Sequence, residues 1–221
     1  VKFDFLGLQT LSVLECARKL LADKGVTVDW LALPLDDPAP YRLHAPERQT
    51  APLVLASASP ARLGLLRAAG IEPQVVVSEV DEDAVESLAR QQDPGLTPRR
   101  LAQLLAEAKG DAVASRTTDE RVRWVLSCDS VLEVDGQVHG KPGTPEVARE
   151  RWQQVRGRSA VLHTGHHLVD MRDGRTAGAP ASATVHFASV TDAEIDGYVA
   201  TGEPLHVAGG FTLDGLGAPF V

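Results

Sequence analysis

Cysteine is scarce: Cys16 and Cys128 are the only two in 221 residues. They stand far apart and make no metal-ligand spacing, so both are read as reduced, small hydrophobic side chains, with a structural disulfide as the alternative. No apolar run approaches membrane-spanning length. Nor does any segment combine the charged start, apolar middle and small-residue end of a secretion signal, so a cytoplasmic location is the default expectation. Positive charge is also short. With 22 Lys and Arg against 30 Asp and Glu, the net charge is −8, which argues against a protein that grips a nucleic-acid backbone. A small polyanion bound in a locally basic pocket, together with a divalent cation, stays open. There is no long internal repeat. What is present is ordinary for a globular chain, 43% hydrophobic and 24% charged, and the length suits one sizeable domain or one domain with an appendage.

Residues 1–50 differ in character from the rest. Phe3, Phe5, Leu6, Leu8, Leu11, Val13 and Leu14 crowd the start of a helix expected to reach about Lys24. Residues 26–33 have the composition of a strand, and the proline-rich stretch 34–46 reads as loop and linker. VKFDFLGLQTL followed by LPLDDPAPYRL resembles a segment of the bacterial replicative DNA polymerase alpha subunit over about residues 1–45. The resemblance implies that Asp4 matches one of that family's metal-binding carboxylates. A single carboxylate cannot run two-metal chemistry, and the family's others are absent, so the segment is read as a fused or mis-joined fragment.

The rest of the chain is organised around residues 53–83. Leu53-Val54-Leu55-Ala56 is long enough for a buried strand and too short for a helix that must nucleate itself. Ser57, Ser59 and Pro60 then stand where a helix begins, because a hydroxyl accepts from unpaired amides and proline tolerates the first turn. Leu63, Leu65, Leu66 and Ala69 follow at helical spacing, Gly70 stops the helix, and residues 74–77 read as a second strand. Strand, serine-rich turn, helix, strand converges amide donors, hydroxyls and a helix dipole on one spot, which suits a phosphate, and Arg62 adds a fork of donors. An ordinary helix cap beside a surface arginine is the competing reading.

Downstream, four acids fall in the six positions 78–83 behind a strand, making Glu82 or Asp81 a candidate metal contact, or else a solvated helix start. A helix is expected over 98–114 with Leu101, Leu104, Leu105, Ala108 and Ala112 on one stripe, and Lys109 at its edge either reaches inward or snorkels to the surface. Residues 123–128 form an apolar strand that ends in Asp129-Ser130, a place where α/β sheets carry catalytic carboxylates. Asp135-Gly136 signals a hairpin leading to Lys141. Thr144-Pro145-Glu146 caps a helix with Val147, Trp152 and Val155 on one face. A strand over 158–169 carries His163, His166 and His167. Neighbouring strand positions face opposite ways, so at most two could share a zinc, and polar strand residues are the preferred reading. Residues 172–181 read as loop, 183–187 as strand, and Thr191 with Glu194 as a capping box. The late glycines, including Gly209 and Gly210, either let backbone approach a ligand or make tight turns.

The order of these features is more specific than any of them alone. Ser57-x-Ser59-Pro60-x-Arg62, Asp81-Glu82, Leu105-Ala106-x-x-Lys109, Asp129-Ser130, Gly140-Lys141-Pro142, Gly157-Arg158, Thr164-Gly165, Gly202-Glu203-Pro204 and Ala208-Gly209 together resemble the Maf family over about residues 53–221. The resemblance implies an α/β fold, a mixed twisted sheet flanked by helices, with two lobes around a nucleotide cleft. It implies a domain over 51–221 that lacks the family's last glycine-rich loop and helix, preceded by the appendage of residues 1–50. The implied activity is hydrolysis of nucleoside triphosphates between the α- and β-phosphates, with Mg²⁺ or Mn²⁺, by a cytoplasmic protein that is often a homodimer. Asp129 takes the place of the family's proton acceptor. Ser57, Ser59, Arg62, Lys109 and Lys141 fall at substrate positions, and Glu82 with Asp129 at the metal. Three departures bear on the choice of base. Ala61 stands where many members have arginine, Ser130 where many have threonine, and Asp214 replaces a common glutamine. Two other readings stand beside the enzyme. One is a nucleotide-binding or regulatory relic without turnover. The other is a polymerase-derived module binding DNA through its first 45 residues, which the acidic balance and missing carboxylates oppose.

Overall fold

The computed structural model describes residues 53–221. The expectations for residues 1–50, with Asp4 and Cys16, lie outside the described residues. The described chain is mixed α/β, with a seven-stranded sheet ordered β2 (Gln74–Val75), β1 (Leu53–Ala56), β3 (Trp124–Val134), β5 (Ser159–Asp170) and β6 (Thr176–Gly178), with β4 (Gln137–His139) pairing β3 and β7 (Ala181–His186) pairing β5. The fold divides into two compact units. One holds residues 53–85, Leu105–Cys128 and His166–Ala179; the other holds Glu86–Leu104, Asp129–Gly165 and Pro180–Val221.

In the first unit, β1 (Leu53–Ala56) is apolar on both faces and pairs in parallel with β2 (Gln74–Val75) and with the start of β3 (Trp124–Val134), from Leu53 opposite Trp124 to Ala56 opposite Ser127. Helix α1 (Pro60–Ala68) begins where the residues dictate, with extended Ser59 as N-cap and proline in the first turn, and Gly70 takes a left-handed φ of 75° just past its end. The strand expected over 74–77 is shorter. The Val77 and Ser78 carbonyls accept from Arg116 at 3.3 and 2.6 Å rather than from a neighbouring strand, and Glu79 turns the chain with φ 58°. Helix α2 (Glu82–Gln92) follows, its first turn capped by Asp81, whose Oδ1 accepts from the Ala84 amide at 3.0 Å. Helix α3 (Pro98–Ala114) has the span expected of it. In this unit it lies so close to the sheet that a Cβ on Gly110 would come within 2.5 Å of Ser127 Oγ. Val54, Ala56, Val113, Val122, Val125 and Val169 form one apolar cluster; Leu55, Leu66, Leu126 and Cys128 form another.

In the second unit, the later part of β3 turns antiparallel to β4 (Gln137–His139) through Asp135 and Gly136, both at positive φ as a two-residue hairpin requires. Helix α4 (Pro145–Val155) starts from its Thr144 cap, though its inner face is Ala148, Trp152 and Val155 in place of Val147. Strand β5 (Ser159–Asp170) pairs antiparallel with β7 (Ala181–His186) over residues 159–164 and, in the first unit, with β6 (Thr176–Gly178) over 167–169. β6 lies inside the stretch expected to be loop. It is only three residues long, with glycine at its end, so nothing in its composition marks a strand. Helix α5 (Asp192–Ala200) opens with the Thr191–Glu194 capping box. The core centres on Trp152, 2% exposed, packed edge-on against Phe187 and Tyr198 at 5.4 Å. Its Nε1 donates to the Gly210 carbonyl at 2.8 Å.

Candidate active site

The turn between β1 and α1 is locked by its own side chains. Buried Ser57 accepts from the Ser59 amide at 3.2 Å and from Arg62 Nη1 at 3.1 Å, while Ser59 Oγ accepts from the Arg62 amide at 3.4 Å. Arg62 Nη1 also donates to the Cys128 carbonyl at 2.6 Å, so the guanidinium is held by β3 as well as by the turn. The helix entrance and its cation are therefore ordered by the protein, which lowers the entropy cost of gripping an anion there. Ala61 lies exposed in the first turn of α1.

Lys109 is buried, which corrects the reading of a surface lysine snorkelling outward. Its Nζ meets Glu82 Oε1 at 2.8 Å, with the lysine side chain 11% exposed and the glutamate 40%. Four residues beyond the Leu105 stripe, the chain turns inward because a carboxylate from the start of α2 receives it. Asp81, by contrast, is occupied as a helix cap.

Asp129 requires a second correction. It does not close a strand: β3 runs unbroken through it to Val134, since no glycine or proline interrupts residues 124–134 and nearly every position is buried. What does end is the parallel pairing with β1, whose register stops at Ser127. Asp129 is 6% exposed and directly follows the residue whose carbonyl holds Arg62. Within the second unit, the Ser130 and Thr164 hydroxyls lie 2.9 Å apart. Lys141 is exposed just past β4, and Asp214 is exposed in the last turn region.

The histidines behave as buried polar strand residues. His163 sits between Glu133 Oε2 and Ser182 Oγ, both at 2.7 Å, His166 meets the Ala179 carbonyl at 3.2 Å, and His167 meets Asp111 at 2.9 Å. Among the described residues no group of three or more His, Cys, Asp or Glu could by itself hold a metal. No helix among them is long and apolar enough to cross a membrane. Cys128 is buried and forms no disulfide.

One functional candidate escaped sequence reasoning. Glu203 belongs to the Gly202-Glu203-Pro204 triplet, which counted toward the family resemblance without a role of its own, yet its carboxylate gathers four donors. Burial alone would raise its pKa. The hydrogen bonds from Thr212, the Leu216 amide, Tyr198 and the Gly217 amide outweigh it and hold the carboxyl below its ordinary range. The Tyr198 phenol is pushed up, mainly by burial. A charged residue flanked by glycine and proline was the available signal.

Residues 52–221 match the model of the family described as Maf-like protein. The chain belongs to the Maf-like family. A Maf-like relative from Leifsonia xyli subsp. xyli, named nucleoside triphosphate pyrophosphatase, is 54% identical over 173 residues, covering 76% of this chain and 80% of the relative. Proteins of the same name from Salinispora tropica and Streptomyces coelicolor are 56% and 53% identical. Each alignment covers 76% of this chain, with 72% and 78% of the respective relative. The mixed α/β fold of this Maf-like chain agrees with the class that the resemblance implied.

Proposed function

We propose that this Maf-like chain is a nucleoside triphosphate pyrophosphatase, releasing nucleoside monophosphate and pyrophosphate. The name shared by relatives above half identity supports the reaction class. The observation that carries it to particular residues is the self-locked Ser57–Ser59–Arg62 turn at the start of α1.

In this reading the α1 entrance, Arg62, Lys109 and Lys141 neutralise the charge on the polyphosphate oxygens, as attack on an anionic phosphorus requires. Asp129 accepts the proton of the attacking water. The water oxygen bonds to the α-phosphorus, the bond to the bridging oxygen breaks, and pyrophosphate leaves with the electron pair. Glu82 and Asp129 are the residues offered to a Mg²⁺ or Mn²⁺ ion. Such a hard cation is commonly held by one or two carboxylates, with water and substrate phosphates completing its shell, so this donor set suits it without an all-protein cage. When bound it supplies charge neutralisation at the phosphates. We further propose pyrimidine or modified nucleotides as substrates, with Ala61, Ser130 and Asp214 setting the preference, and a cytoplasmic homodimer as the working form.

Pyrophosphate release is to be measured across nucleotides with Mg²⁺ or Mn²⁺. Asp129→Asn should lower kcat by about 10²-fold or more, and release unaffected by that change would sink the mechanism. A wild-type chain that binds nucleotide without turnover would favour the regulatory relic instead.

A further inference from the structure

The segment after α5 contains no regular strand, and one carboxylate organises much of it. Glu203 Oε1 accepts from the Tyr198 hydroxyl at 3.0 Å, from the Thr212 hydroxyl and from the Gly217 amide at 3.1 Å, and its Oε2 accepts from the Leu216 amide at 3.0 Å. Three of these donors converge on Oε1 and one on Oε2, so a single carboxylate ties them together. Three of the four come from residues 212–217. They bracket Asp214: Thr212 is anchored on one side, Leu216 and Gly217 on the other, and Asp214 between them is exposed. The packing leaves no slack. A Cβ on Gly215 would sit 2.6 Å from Glu203 Oε2, and one on Gly217 would sit 2.6 Å from the Tyr198 hydroxyl and 2.9 Å from the Thr212 backbone.

We infer that Glu203 is a positioning residue for nucleobase selection, holding the 212–217 turn so that Asp214 is presented to the substrate in one conformation. The inference rests on the nucleotide reading above and goes beyond it. With four protein donors on its carboxylate, three of them from residues 212–217, Glu203 acts through the turn it holds. A side chain with fewer acceptor sites would release one end of the turn and widen the range of positions open to Asp214. The turn touches selection, not the bond being cleaved, so KM should respond more than kcat.

The test compares wild type, Glu203→Gln and Thr212→Val, measuring kcat and KM for dTTP, UTP, CTP and GTP, with amide exchange followed at Leu216 and Gly217. Glutamine replaces one acceptor oxygen by a donor. Glu203→Gln should therefore change KM by about fivefold or more, unequally between pyrimidine and purine nucleotides, with kcat within about threefold and faster exchange at both amides. Thr212→Val, which at nearly constant volume removes one donor to Glu203 and one acceptor for the Gly217 amide, should show the same pattern at about twofold and decides the matter if the glutamine variant does not fold. Unchanged KM ratios in the folded variants, or a uniform loss of kcat for every base, would overturn the positioning role. A wild type that turns over none of the nucleotides would defeat the proposed function itself, a different result from turnover whose base ratios ignore Glu203.

Discussion

Replacing Glu82 by glutamine withdraws the carboxylate charge 2.8 Å from the Lys109 ammonium while leaving volume and hydrogen-bonding capacity nearly intact. Breaking a fully buried ion pair from one side costs about 3–5 kcal/mol, because a charge stays out of water uncompensated. Lys109 is close to that limit at 11% side-chain exposure, but Glu82 is 40% exposed, and water reaching the site screens the loss. The expected cost of Glu82→Gln is therefore about 1–2 kcal/mol, between the buried and surface limits. Lys109→Met should cost less, under about 1 kcal/mol, since it removes the charge that burial penalises and keeps the stem's packing, while Glu82 hydrates. The double variant should then resemble Lys109→Met alone, with a coupling energy equal in magnitude to the Glu82→Gln cost, about 1–2 kcal/mol. Urea unfolding at constant m measures all four corners of the cycle, and 1 kcal/mol corresponds to about 2–4 °C in Tm for a chain of this size. On the proposed phosphate contact of Lys109, Lys109→Met should also raise KM for nucleotide although it folds. A Glu82→Gln cost below about 0.3 kcal/mol with no measurable coupling would show that burial of Lys109 does not depend on the pair.

Gly165→Ala should destabilise by about 1–3 kcal/mol or more, because its Cβ would stand 2.2 Å from the Ala102 carbonyl oxygen on α3. Gly64→Ala, in an open stretch of α1 with nothing within 4 Å, should instead stabilise by about 0.5–1 kcal/mol; thermal melts of the two variants check both signs. Trp152→Phe should lower stability by about 1–3 kcal/mol in urea unfolding, since it loses ring volume and leaves the Gly210 carbonyl without the indole N–H. Glu203 has a folded-state pKa below its ordinary 4.5. Its contribution is thus fully present above that value and is lost as pH falls through the lower folded value. The midpoint of unfolding should accordingly hold steady near neutrality and drop below about pH 4.5, less steeply in Glu203→Gln.

Local chemistry determined much of this molecule. Ser59 before Pro60, Thr144 before Pro145 and the Thr191–Glu194 box start their helices because a cap needs only residues three positions apart. Asp135-Gly136 makes its hairpin because both positions tolerate positive φ. The interlocked Ser57–Ser59–Arg62 turn lies within six consecutive positions, so its hydroxyls and guanidinium could be placed together from the sequence. Tertiary structure alone decided the rest. Whether β3 stops at Asp129 depends on which strands flank it, and its partner changes from parallel β1 to antiparallel β4 without a break in the chain. Lys109 turns inward only because Glu82, 27 residues earlier in the sequence, is carried to it on another helix. Glu203 closes a turn whose donors lie up to 14 positions away, and no spacing rule in the sequence reaches that far.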